Sequence, residues 1–108
     1  MKYQVRLTED ATADLEELYA YIVRHDSIAN ADAVLGSIED VLDSLSRHAK
    51  RGVYPPELLE LGIREYREVF FKPNRVVYRT IGRVAYVYLI ADGRRDMQTL
   101  LKRRLLSA

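Results

Sequence analysis

Tyr3, Val5 and Leu7 alternate with Lys2, Gln4 and Arg6 at the start of the chain. That period of two predicts a short strand with one buried face. Thr8 follows as a helix cap, with Glu9 and Asp10 in the first turn where the macrodipole favours negative charge. Ala11, Leu15, Leu18 and Ile22 then recur at helical spacing, which predicts a first helix ending near His25. Asp26 or Ser27 caps a second helix, whose stripe is Ala31, Val34, Leu35, Ile38, Val41, Leu42 and Leu45. Two helices with almost no linker form an antiparallel hairpin, and their single apolar sides need a sheet to lie on.

Between Arg47 and Gly62 the periodicity fails. Gly52, Pro55 and Pro56 break any helix there, leaving at most a short proline-initiated turn over Glu57-Leu58-Leu59. Strands are predicted at 66–71, 75–81 and 84–91. The short turns at Lys72-Pro73-Asn74 and Gly82-Arg83 force them to pair antiparallel. In the middle strand Val76, Tyr78 and Thr80 share one face, and Arg75, Val77 and Arg79 the other. The last strand, VAYVYLIA, is apolar on both sides, so both its faces must be covered. The hairpin can cover only one; the C-terminal helix in part, and a bound partner, are expected on the other. Asp96 caps that last helix, with Met97, Leu100, Leu101 and Leu105 as its apolar side and Lys102, Arg103 and Arg104 in its closing turns. The fold class expected is α+β, in the order strand-helix-helix-strand-strand-strand-helix, an antiparallel sheet on a helical hairpin.

Length and composition narrow the classes. The 108 residues suffice for one domain over 1–108, and no apolar run approaches the ~20 residues of a membrane span. With no secretory signal pattern at the N-terminus, the expected location is the cytoplasm, and no membrane partner is expected. There is no cysteine, hence no disulfide framework and no thiolate nucleophile or metal site. No His/Asp/Glu group has metal-ligand spacing and no Gly-rich phosphate loop is present, so neither metal nor cofactor is expected. Net charge is only +1, but residues 1–46 carry three basic groups against ten acids, and residues 47–108 fourteen against six. A split of that size suggests an electrostatically polar molecule whose C-terminal half attracts an acidic partner. The plainer alternative is that the halves neutralise each other where they touch.

Four stretches together carry a resemblance. They are T-x-x-A-x-x-D-L (Thr8, Ala11, Asp14, Leu15), L-G-I-R-E-Y-R (Leu61 to Arg67), K-P-x-R-V-V-Y-R (Lys72 to Arg79) and D-G-R-R-D (Asp92 to Asp96). In order and spacing the chain resembles the RelE/ParE family, toxins of bacterial type II toxin–antitoxin systems. The resemblance implies a cognate antitoxin, an acidic and partly disordered segment that wraps its toxin in a hetero-oligomer. It also implies one of two actions. RelE-like members cut messenger RNA in the ribosome, whereas ParE-like members poison DNA gyrase with no comparable cleavage chemistry.

Attack by a 2′-hydroxyl needs a base, an acid for the departing 5′-oxygen, and cations on the phosphate. Arg75 and Arg95 fall where RelE-like toxins place such cations. The RelE tyrosine position falls on Leu101, however, and 94–108 contains neither His nor Tyr. His48 or Glu57 in the long connection could substitute as base; the plainer role for His48 is to end its helix. The expectation is therefore the ParE-like branch, a gyrase inhibitor acting by protein contact with no catalytic residue. The alternative is a RelE-like ribonuclease using Arg75, Arg95 and His48. The antitoxin- or target-binding surface is expected to comprise Arg67, Arg75, Val77, Arg79, Arg94, Arg95, Leu101 and Arg104. Its arginines could instead be surface charge ladders, worth under about 1 kcal/mol each.

Overall fold

In a computed structural model that describes residues 2–106, the chain forms three layers around a four-stranded sheet. Strand β1 spans Gln4–Leu7, and Thr8 caps helix α1 (Glu9–His25) by accepting the Ala11 N–H at 3.1 Å. Of the two candidate caps for α2 (Ile28–Arg47), Ser27 does the work, accepting from the Asn30 N–H. A one-turn helix α3 (Pro56–Leu59) interrupts the long connection. Strands β2 (Arg67–Phe71), β3 (Asn74–Ile81) and β4 (Val84–Asp92) follow, then α4 (Met97–Leu101), which widens into a π-helical turn over Lys102–Leu106. Gly82, at φ +59°, makes the β3–β4 turn.

The α+β order matches expectation, with one correction to the sheet. The spatial order is β1-β4-β3-β2, and β1 lies parallel to β4, so the sheet is mixed rather than antiparallel throughout. The helical hairpin between β1 and the later strands returns the chain to the far side before β2 begins. That crossover is what permits parallel pairing.

The hairpin buries one sheet face. Ala11, Ile38 and Leu45 meet Val69, Val76, Tyr78, Ala85, Val87 and Ile90 in the larger core. The opposite face is also closed, and by the chain itself. Leu58 of α3 and Met97 and Leu101 of α4 pack on Tyr66, Val77, Leu89 and Ala91. A bulge in β4 serves both cores: Val77 pairs with Leu89 and Tyr78 with Val87, leaving Tyr88 between them without a partner. The extra residue switches the alternation, so Val87 and Ile90 face the hairpin while Leu89 and Ala91 face α4. Among the described residues no helix is long and apolar enough to cross a membrane.

Candidate functional site

Arg75 projects from β3 into the α3-covered face and is held by two carboxylates. Its Nε donates to Glu68 Oε1 at 2.6 Å, and its two terminal nitrogens donate to the Glu57 carboxylate at 2.9 and 2.7 Å. Glu68 is only 2 % exposed. Burial pushes its carboxyl above the ordinary range, against the pull of Arg75. The more accessible Glu57 is held below it, chiefly by the Arg75 hydrogen bonds. Removing the arginine would leave Glu68 buried without a counter-charge, so the triad fixes α3 to the sheet. Arg75 is thus no open phosphate site: its fork already carries a carboxylate in the geometry a phosphate would need.

Several other expected contact residues are likewise engaged inside the fold. Val77 and Leu101 are fully buried in the α4-side core, because α3 joins α4 in closing the part of that face where a bound partner was expected. Arg104 reaches from the last turn to α1, donating to both Asp14 oxygens at 2.8 and 3.0 Å and to the Tyr88 carbonyl. Asp14 also accepts the Ile90 N–H at 2.9 Å, so this one carboxylate joins α1, the bulged strand and the C-terminus. An acid at position 14, on the apolar stripe of Ala11, Leu15 and Leu18, was the signal for such a buried hub. Arg67 donates to the Gly52 carbonyl and stacks on Tyr54, while Arg79 lies 5.8 Å over the Tyr66 ring; both are half-buried.

Arg94 and Arg95 remain exposed. Arg94 pairs with Asp92, whose carboxyl its hydrogen bonds hold down to about 2. Both arginines line a cleft of about 590 Å³ between α1 and the β2–β3 turn. The cleft has an apolar floor that includes Leu18, Ile22, Phe71 and Ile90, an acidic rim of Asp14 and Glu17, and a basic rim of Lys72, Arg94 and Arg95. Tyr21, 56 % exposed, stands on its α1 wall. The sequence reading missed Tyr21 and Lys72, since nothing in their spacing says that α1 and the β2–β3 turn face one another.

The fold does not gather the alternative ribonuclease trio. His48 ends α2 at the edge of the sheet where β4 begins, since the Tyr3 N–H donates to the Ser46 carbonyl and the Gln4 N–H to the Arg83 carbonyl. Arg95 follows the other end of β4, a strand length of roughly 25 Å away at the usual rise per residue. Among the described residues no group of three or more His, Asp or Glu side chains is placed to hold a metal ion.

Residues 5–97 match a family model described as the ParE toxin of the type II toxin-antitoxin system, parDE. Among solved structures, the fold is similar to a chain of a chromosomal ParDE toxin–antitoxin system from P. aeruginosa. That similarity has a TM-score of 0.70 at 19 % identity, over 84 % of this chain and 96 % of that one. A chain of the RelBE2 toxin–antitoxin complex from Mycobacterium tuberculosis aligns at a TM-score of 0.60 and 18 % identity, over 85 % of this chain and 99 % of that one. At such identities the likeness bears on the fold alone. Compared by sequence with curated proteins, the chain matches none.

Proposed function

From a chain that belongs to the ParE toxin family of type II toxin–antitoxin systems, we propose a toxin that inhibits DNA gyrase by protein contact and is neutralised by a cognate antitoxin. The observation that carries this reading is the occupied fork of Arg75. The strand arginine that would stabilise a phosphorane is bound by Glu57 and Glu68, and neither His48 nor any residue of α4 stands ready to move a proton beside it. A protein that works by grip needs surface, and the cleft beside α1 supplies it.

That cleft is also where the antitoxin seats in this reading. Its apolar floor suits the buried side of an amphipathic segment, and Lys72, Arg94 and Arg95 suit the acids beside it. Arg67 and Arg79 lie outside the residues that line the cleft, and Arg75, Val77, Leu101 and Arg104 support the scaffold from within. Purified protein should form a complex with gyrase that the antitoxin dissolves. No detectable association with either gyrase subunit at micromolar concentration would sink the proposal.

One feature favours the ribonuclease alternative. Tyr21 shares the cleft with Lys72, Arg94 and Arg95, so a phenol and three cations line one open site. If that site cleaves message, Tyr21→Phe should abolish cleavage while leaving antitoxin affinity nearly unchanged.

A further inference from the structure

The basic groups of the cleft are not the only exposed cations among the described residues. Three stretches, 1–8, 44–56 and 81–91, contain no Asp or Glu at all, yet they hold Lys2, Arg6, Arg47, Lys50, Arg51 and Arg83. The fold brings them to one end of the sheet. The Tyr3 N–H donates to the Ser46 carbonyl at 2.7 Å, which sets the start of β1 against the end of α2. The Gln4 N–H donates to the Arg83 carbonyl at 2.9 Å, which adds the β3–β4 turn. All six side chains are exposed. Asp43, the one acid in the last five residues of α2, is already paired with Arg47.

We infer that this pole binds the phosphate backbone of duplex DNA. Cations drawn from three separate segments, with Asp43 beside Arg47 as the one adjoining acid in α2's last turn, form a broad field of the kind that neutralises several phosphates at once. The pole is poor in what other polyanions need. Val53 and Ile81 are the large apolar side chains exposed in these stretches, which gives an acidic amphipathic peptide little to bury, whereas the cleft at the other end has a full apolar floor. Tyr3 is no stacking platform for an unpaired base, because the Arg83 guanidinium lies 5.8 Å over its ring. Backbone contact without base readout is what remains. The inference does not depend on gyrase being the target, since it concerns the free chain and DNA alone.

Fluorescence anisotropy with a labelled duplex of arbitrary sequence tests it. Four phosphate contacts would weaken binding on the order of a hundredfold between 50 and 200 mM salt. Reversing Lys2, Lys50 and Arg83 to Glu together should cost at least about thirtyfold at low salt. Reversing Arg24, Arg64 and Arg103 changes net charge equally but elsewhere, and should cost less than about threefold. Circular dichroism of both variants establishes that they are folded, and the wild-type salt slope needs no variant. Absent binding at 50 mM salt, a flat salt dependence, equal losses in the two variants, or tighter binding of the single strand would each overturn the assignment.

Discussion

Arg75 looks, in the sequence, like a cation waiting for a phosphate, and in the structure it is the centre of a buried triad. Glu68, a diagonal neighbour on β2 since Phe70 stands directly opposite Arg75, could be read as an acid within cross-strand reach. Glu57, which fills the rest of the fork, could not, because it comes from a one-turn helix whose position no periodicity encodes. Arg75→Met should cost about 3–5 kcal/mol by stranding Glu68, and adding Glu68→Leu should recover much of that in urea denaturation. The pH dependence of Glu57 has a definite sign. Its folded pKa is lowered, so its contribution is complete above the unfolded value and is lost as pH falls through the folded one. Glu57→Gln should therefore be less stable than wild type at pH 7, with the gap closing on acidification below about pH 4. Glu68, raised by burial, acts the other way and in a higher window: its ionisation costs stability as pH rises from the ordinary glutamate value through the raised folded one. Gly52 is equally constrained. An added Cβ would stand 2.6 Å from the Tyr78 hydroxyl and 2.8 Å from the Glu68 carbonyl, so Gly52→Ala should displace the loop from β2 and lower the melting temperature.

At the scale of elements, the hairpin and three strands could be read because caps, stripes and two-residue turns are local signals. The parallel docking of β1 and the bulge at Tyr88 could not, since both depend on partners far along the chain. The apolar run of β4 did show that both faces were covered. The C-terminal helix was expected over part of the second face, and α4 does cover it; that α3 completes the cover required the fold. That changes what Leu101 is for. As a core residue it should cost about 2–5 kcal/mol when cut to alanine, and any loss of antitoxin binding should follow stability. Arg104→Ala removes charge-assisted bonds between the C-terminal π-helical turn and Asp14 and should cost about 1.5–3 kcal/mol. Faster hydrogen exchange confined at first to the C-terminal turns would show that this clamp holds them; exchange unchanged there would contradict it.

For the whole molecule, the charge split is real and only slightly neutralised. Among the ion pairs formed by the described residues, three acids of the first 46 residues bind a cation from beyond residue 46: Asp10 and Asp14 meet Arg104, and Asp43 meets its helical neighbour Arg47. The hairpin therefore keeps an acidic exterior, while exposed cations gather at the cleft rim and at the end of the sheet near Arg83, with Arg64, Lys102 and Arg103 outside both. If the cleft is the antitoxin seat, reversing Lys72, Arg94 and Arg95 to Glu should weaken the complex by at least tenfold at low salt and far less at high salt. The central claim is action by binding rather than by bond cleavage. A single preparation of the purified protein, titrated side by side into a gyrase supercoiling reaction and a translation reaction with end-mapped message, tests it most directly. The account predicts that supercoiling falls while the message stays intact; uncut supercoiling activity beside ribosome-dependent cleavage would contradict it.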